Sequence, residues 1–278
     1  DTDTDTDTDT DTDTDTDTDG DTDTDTDTDT DTDTDEPTCP DDMVLLPAAP
    51  SLGVDAAFCM DKYEASRDDA DAVSMGEDTT IARSVPGVMP WYVKPVSSSD
   101  IAVFEAACGE AGKRLCTAEE WYFGCAGEEL TSYSWGDAWD PLICNSVDRN
   151  CPDYCANEEI PAEDCYTAAN CGYHCGARCP SPSCPDDPCL YGYDEYYCSV
   201  SEPCHGIEPT GSLATCESHF GAFDVSGNVW EVVPHPDDGF QIRGGAFNCA
   251  SGATRLLCSY TAGWTNLYAG FRCCKALE

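Results

Sequence analysis

The chain has 278 residues, a length that suits one large domain or one domain with appendages. Twelve Lys and Arg stand against 56 Asp and Glu, a net charge of −44. That balance excludes nucleic-acid binding, which needs a basic surface to neutralise phosphate. No apolar stretch approaches the roughly 18–20 residues of a membrane span. Cysteine is heavily used, with 21 residues at irregular spacing. Repeated C-x2-C metal knuckles are absent, so the sequence favours disulfides in an exported, extracellular or cell-surface protein over metal clusters. The chain starts at Asp1 with no charged or apolar leader, which reads as a removed signal or a fragment.

Residues 1–38 open the chain with an Asp-Thr repeat. Asp occupies every odd position from 1 to 35, and one glycine, Gly20, interrupts the threonines. Nothing in the tract is apolar, so no core offsets its ordering entropy. Aspartates two residues apart lie inside the screening length of about 8 Å and repel, which predicts a stretched chain. At about 3.3 Å per residue the repeat reaches roughly 115 Å. The threonines are the modifiable residues: Thr2, Thr4, Thr6, Thr8, Thr10, Thr12, Thr14, Thr16, Thr18, Thr22, Thr24, Thr26, Thr28, Thr30, Thr32 and Thr34. The expectation is an O-glycosylated stalk or fibre spine, weighed against a flexible unmodified acidic linker. Asp15, Asp17, Asp19 and Gly20 imitate the start of an EF-hand loop, but Thr26 stands at the twelfth position and no helices flank it.

Residues 39–278 form the second expected domain. "DMVLLP" reads as a strand. "DIAVFEAACGEAGK" (100–113) reads as a helix capped by Asp100, with Ile101, Phe104, Ala107 and Cys108 on one apolar face. "TAEEWYFGCAG" (117–127) reads as a second helix with Thr117 and Glu120 as a capping box. Residues 151–204 carry ten cysteines and almost no aliphatic side chains, so they read as a disulfide-knot insertion stapled in place of a core. "FQIRGG" and "GFRCC" are further short strands, and the class is α+β with much irregular structure.

Six stretches in order carry a family resemblance: "FCMDKYEAS" (58–66), "AGKRLCTAEEWYFGCAG" (111–127), "YSWGD" (133–137), "FDVSGNVWEV" (223–232), "IRGGAFNC" (242–249) and "AGFRCC" (269–274). Together they resemble the formylglycine-generating enzyme (sulfatase-modifying factor) family, in the form of its cysteine-rich bacterial surface members. The resemblance implies that family's fold, a variant of the C-type lectin fold. It also implies the disulfides Cys108–Cys273 and Cys125–Cys258. Three further pairs complete the frame: Cys39–Cys59, Cys116–Cys274 and Cys144–Cys216. Neighbouring Cys273 and Cys274 would point to opposite faces of a strand and so need different partners. With ten cysteines paired inside the insertion, the count leaves Cys249.

The family resembles an oxidase using O2 and copper held by two thiolates, ligands that suit Cu(I). Cys249 matches the first thiolate and is the only retained catalytic position. Thr254 stands at the second, Ala246 replaces a serine and Thr261 replaces an arginine. Copper and catalysis are therefore not expected, and Cys249 reads as a buried small residue or a disulfide partner rather than a nucleophile. The resemblance better preserves calcium. "DVSGNVWE" would offer the carboxylates of Asp224 and Glu231 and the carbonyls of Gly227 and Val229, a hard oxygen set. The alternative there is a plain Asx turn before a core Trp230. A weaker second site maps to Asn145 and Ser146.

Three functions follow from these residues. The first is a non-catalytic structural or interaction protein, a calcium-stabilised head on the stalk, assembling with itself into a head-to-tail filament. The second is a copper-dependent oxidase. The third is a lectin-like module that binds cell-surface glycans or proteins.

Overall fold

The computed structural model describes residues 38–93, 96–146, 149, 206–236, 239–247, 249, 252–263 and 267–277. All of them lie in one unit, Pro37–Glu278. The stalk threonines and the cysteine-rich insertion fall outside the described residues.

Two sheets carry the fold. In the first, β1 (Met43–Leu46), β2 (Phe58–Asp61), β9 (Cys273–Ala276) and β5 (Arg114–Leu115) lie in the order β1-β2-β9-β5, all antiparallel. The last strand of the chain is thus inserted among strands from its first half. The second sheet has β6 (Trp230–His235) at its centre, antiparallel to β7 (Gly239–Arg243) and parallel to β8 (Ala269–Phe271). A short ribbon joins β3 (Ser66–Arg67) to β4 (Ala82–Arg83).

Helix α1 spans Ser98–Glu110 and buries Ile101, Phe104, Ala107 and Cys108, the expected face. Its cap differs from the expectation. Ser97 is the N-cap, and Asp100 sits at the third helical position, where Oδ2 accepts the Ser97 N–H at 2.9 Å. Three serines precede Asp100, and the first of them lets the helix begin earlier while the aspartate reaches back. The helix also stops short of Lys113, because Gly112 adopts φ +70°. Helix α2 spans Ala118–Ala126 with Thr117 and Glu120 forming the capping box. A single turn, α3 (Gly252–Arg255), follows β7.

The "GFRCC" stretch is divided between the two sheets. Phe271 ends β8, Cys273 begins β9, and Arg272 is the joint. One core contains Trp91, Phe104, Trp230, Val232, Phe271 and Cys273; the other contains Leu46, Met60, Trp121, Phe123, Val233 and Cys274. Adjacent residues of β6 and β9 therefore feed different cores, as strand alternation requires.

The structure brings all five head disulfide pairs together. Cys39–Cys59, Cys108–Cys273, Cys116–Cys274, Cys125–Cys258 and Cys144–Cys216 have Cα–Cα separations of 4.8–5.8 Å. Three of them close sequence separations of 133, 158 and 165 residues. Closing one loop of that length stabilises a fold by about 4–5 kcal/mol in the chain-entropy account.

Candidate functional site

The motif 223–231 forms a tight loop entering β6. Asp224 and Asn228 adopt left-handed backbone at φ +56° and +51°, and Gly227 lies at φ +90°. Gly227 is required for a second reason: a Cβ there would come within 2.5 Å of the Asn145 carbonyl oxygen. That carbonyl accepts the Asn228 N–H at 3.0 Å, and Asn145 Nδ2 donates to Asn228 Oδ1 at 3.0 Å and to the Gly206 carbonyl at 2.8 Å. The two motifs that the sequence treats as separate calcium sites thus lie against each other.

Glu231 and Asp224 are buried behind this loop with Glu64 and Arg272. Glu231 Oε1 accepts from Arg272 Nη2 at 2.8 Å, and Oε2 accepts from Trp121 Nε1 at 2.6 Å. Arg272 also donates to the carbonyls of Asp61 at 3.0 Å and Phe223 at 2.7 Å. Glu64 accepts from Asn228 Nδ2 at 2.6 Å and from the Val229 N–H at 3.1 Å. Asp224 Oδ2 accepts the Gly211 N–H at 2.6 Å.

Three carboxyl groups and one guanidinium are buried together here, and burial shifts two of the carboxyls upward. Burial, with the Asp224 and Glu231 charges behind it, pushes Glu64 well above the ordinary glutamate range. Asp224 is pushed up to about 7, again chiefly by burial, against the opposing Gly211 N–H and Arg272 charge. Burial alone would lower Arg272, but the Glu231 carboxylate overcomes it and holds the guanidinium above its usual value. Glu64, Asn228 and Arg272 carry this arrangement, and no local sequence pattern assigns any of them a role. The one available signal was an arginine inside the otherwise apolar "AGFRCC".

An oxygen without a hydrogen bond marks the same place. Asn145 Oδ1 is buried and has no hydrogen-bond partner among the described residues. The Asn145 amide oxygen, the Asp224 carboxylate and the backbone carbonyls of Gly227 and Val229 are oxygens of the hard kind that Ca²⁺ would take. Glu231 would share its carboxylate with Arg272 and Trp121. Among the described residues, no group of three or more His, Cys, Asp or Glu side chains is arranged to hold a metal. Ligation would therefore depend on the amide and carbonyl oxygens.

A model of the sulfatase-modifying factor enzyme 1-like domain matches residues 54–277. The chain belongs to that family. A comparison with curated proteins finds no match.

Within the sulfatase-modifying factor frame, the positions expected to carry oxidation are placed as follows. Cys249 is buried, and its Sγ accepts the Ala246 N–H at 3.2 Å. Ala246 is fully buried. Thr254 lies exposed on α3, and Thr261 is exposed in the segment after Cys258. A two-thiolate copper centre does not fit this set, because a hydroxyl stands where the second sulfur belongs. The head is disulfide-bonded, and no described helix is long and apolar enough to cross a membrane.

Proposed function

We propose that the protein is a non-catalytic extracellular structural or interaction protein. A C-type-lectin-like head, stabilised by five disulfides and by calcium, is carried on an extended O-glycosylated Asp-Thr stalk. The observation that carries this reading is Thr254, an exposed hydroxyl at the position where the resemblance calls for the second copper thiolate. Ala246 and Thr261 at two further chemical positions support it.

Calcium has a structural part in this reading. Bound at the Asn145 and 224–231 loops, it would supply positive charge beside carboxylates that one arginine leaves uncompensated. The chain's own residues do the rest: Gly227 permits the close approach, and Asn228 ties the two loops to Glu64.

The activity assay decides between this reading and an oxidase. Purified full-length protein, given Cu(I), O2 and a cysteine-containing sulfatase-type peptide, should leave the peptide mass unchanged. Turnover of the cysteine would establish the oxidase instead. Mass spectrometry of native N-terminal fragments should find glycans between Thr2 and Thr34, and bare threonines throughout would remove the glycosylated stalk. Head-to-tail filaments, the assembly a stalk longer than one head permits, should appear by electron microscopy at high protein concentration with Ca²⁺; dispersed heads would remove the fibre.

A further inference from the structure

A cavity of about 260 Å³ opens between the first turn of α2 and the β6–β7 hairpin. Leu52 and Ala118 give it an apolar wall, Tyr122 and Ser259 supply hydroxyls, and Arg243 and Glu119 supply one charge of each sign. The imidazole of His235 also lines it. The strand register puts this cavity on the side of β6 that carries Val233, which packs with Trp121 in one core. Trp230 and Cys249 belong to the other core, so the cavity is separate from the positions linked to copper chemistry.

Arg243 is held as a recognition group would be. Gln241 Oε1 accepts from its Nη2 at 2.7 Å and its Nε at 3.2 Å, and the Cys258 carbonyl accepts from Nη1 at 3.3 Å. The guanidinium lies over the Trp121 ring, 5.9 Å from its centroid. A guanidinium has five N–H donors, so two remain, one on each terminal nitrogen, an arrangement suited to an end-on carboxylate. Arg243 makes no direct ion pair among the described residues, and burial disfavours its charge by more than the neighbouring Glu119 carboxylate favours it. A half-buried cation hydrogen-bonded only to neutral acceptors, with its nearest carboxylate not in direct contact, has room for a closer anion.

We propose that this cavity binds a small zwitterion of the α-amino acid type, with its carboxylate on Arg243 and its ammonium on Glu119. A simple anion on Arg243 would place a second negative charge near Glu119, whereas a zwitterion brings an ammonium to that carboxylate. The volume lies below the roughly 300–1,000 Å³ of drug-sized sites, so the occupant is small. The Leu52 and Ala118 wall suits a short aliphatic side chain such as that of alanine or valine.

Calorimetric titration of the full-length protein with L-alanine and L-valine tests the assignment, with acetate and methylamine as single-charge probes. Saturable binding is expected for at least one amino acid, with acetate and methylamine each at least tenfold weaker. Glu119→Gln and Arg243→Gln should each weaken amino-acid binding at least tenfold. Glu119 is partly exposed and carries the test even where Arg243→Gln disturbs the packing on Trp121. Absence of saturation with both amino acids, acetate binding as tightly as L-valine, or unchanged binding by Glu119→Gln would each overturn the proposal. None of these outcomes bears on the copper or calcium readings, which concern other residues.

Discussion

Two buried clusters meet at the joint between β8 and β9, and they are held by different physics. On one side Phe271 stacks on Phe104 with ring centroids 4.2 Å apart, and Trp91 packs edge-on against both. On the other, the next residue, Arg272, is buried among Glu231, Asp224 and Glu64. The aromatic cluster gains its stability from contact area and is indifferent to ions and pH. The polar cluster has more negative than positive charge, and burying it is favourable only when each group is paired. One strand crossing thus joins a region that is complete in itself to a region in which three carboxyl groups face one guanidinium.

Substitutions on the two sides separate these mechanisms. Arg272→Ala strands Glu231 without its partner and should cost about 3–5 kcal/mol in denaturant unfolding. Phe104→Ala should cost a similar amount, about 3–5 kcal/mol, through lost contact and a cavity. The pH dependence tells them apart. The Arg272→Ala penalty should be larger at pH 8 than at pH 5, because protonation removes negative charge that the arginine neutralises. The Phe104→Ala penalty should not change with pH. Equal pH profiles for the two variants would erase the distinction.

The unmodified head should also titrate in a definite direction. Burial raises Asp61 to about 6 despite its 2.6 Å contact with Lys113, and it raises Asp224 to about 7. Carboxyls raised in the folded state hold protons that the unfolded chain releases. Their contribution is fully present in acid below about pH 4 and is lost as pH climbs through about 6 to 7. Without calcium, stability should therefore fall between pH 5 and pH 8, by on the order of a few kcal/mol. A flat or rising profile would mean that these carboxyls are paired better than the structure shows.

The aromatic side was legible in the sequence and the polar side was not, for a physical reason. Ile101, Phe104, Ala107 and Cys108 repeat at helical spacing, so one window of sequence contains the whole signal. Thr117 and Glu120 are likewise local. The placement of Cys273 and Cys274 on opposite faces follows from strand alternation alone. Arg272, by contrast, meets Glu231 across 41 residues, and Glu64 meets Asn228 across 164. Such partners have no shared period, and a buried charge looks in sequence like a surface one. Strand β6 is likewise hard to read in sequence, since "WEVVPH" mixes a charge and a proline into its apolar run. The Asp224, Gly227, Val229 and Glu231 set came from resemblance, and resemblance did not show that Arg272 and Trp121 already hold Glu231.

The most direct measurement is thermal unfolding of the full-length protein at neutral pH, once in excess Ca²⁺ and once in chelator. A ligand bound only by the folded state adds about 1.4 kcal/mol at tenfold excess over its Kd. For a domain of this size that corresponds to a rise in melting temperature of roughly 3–6 °C. The account predicts this rise for the wild type and for Phe104→Ala, and its loss in Asn145→Ala. Identical melting of the wild type with and without Ca²⁺ would contradict it.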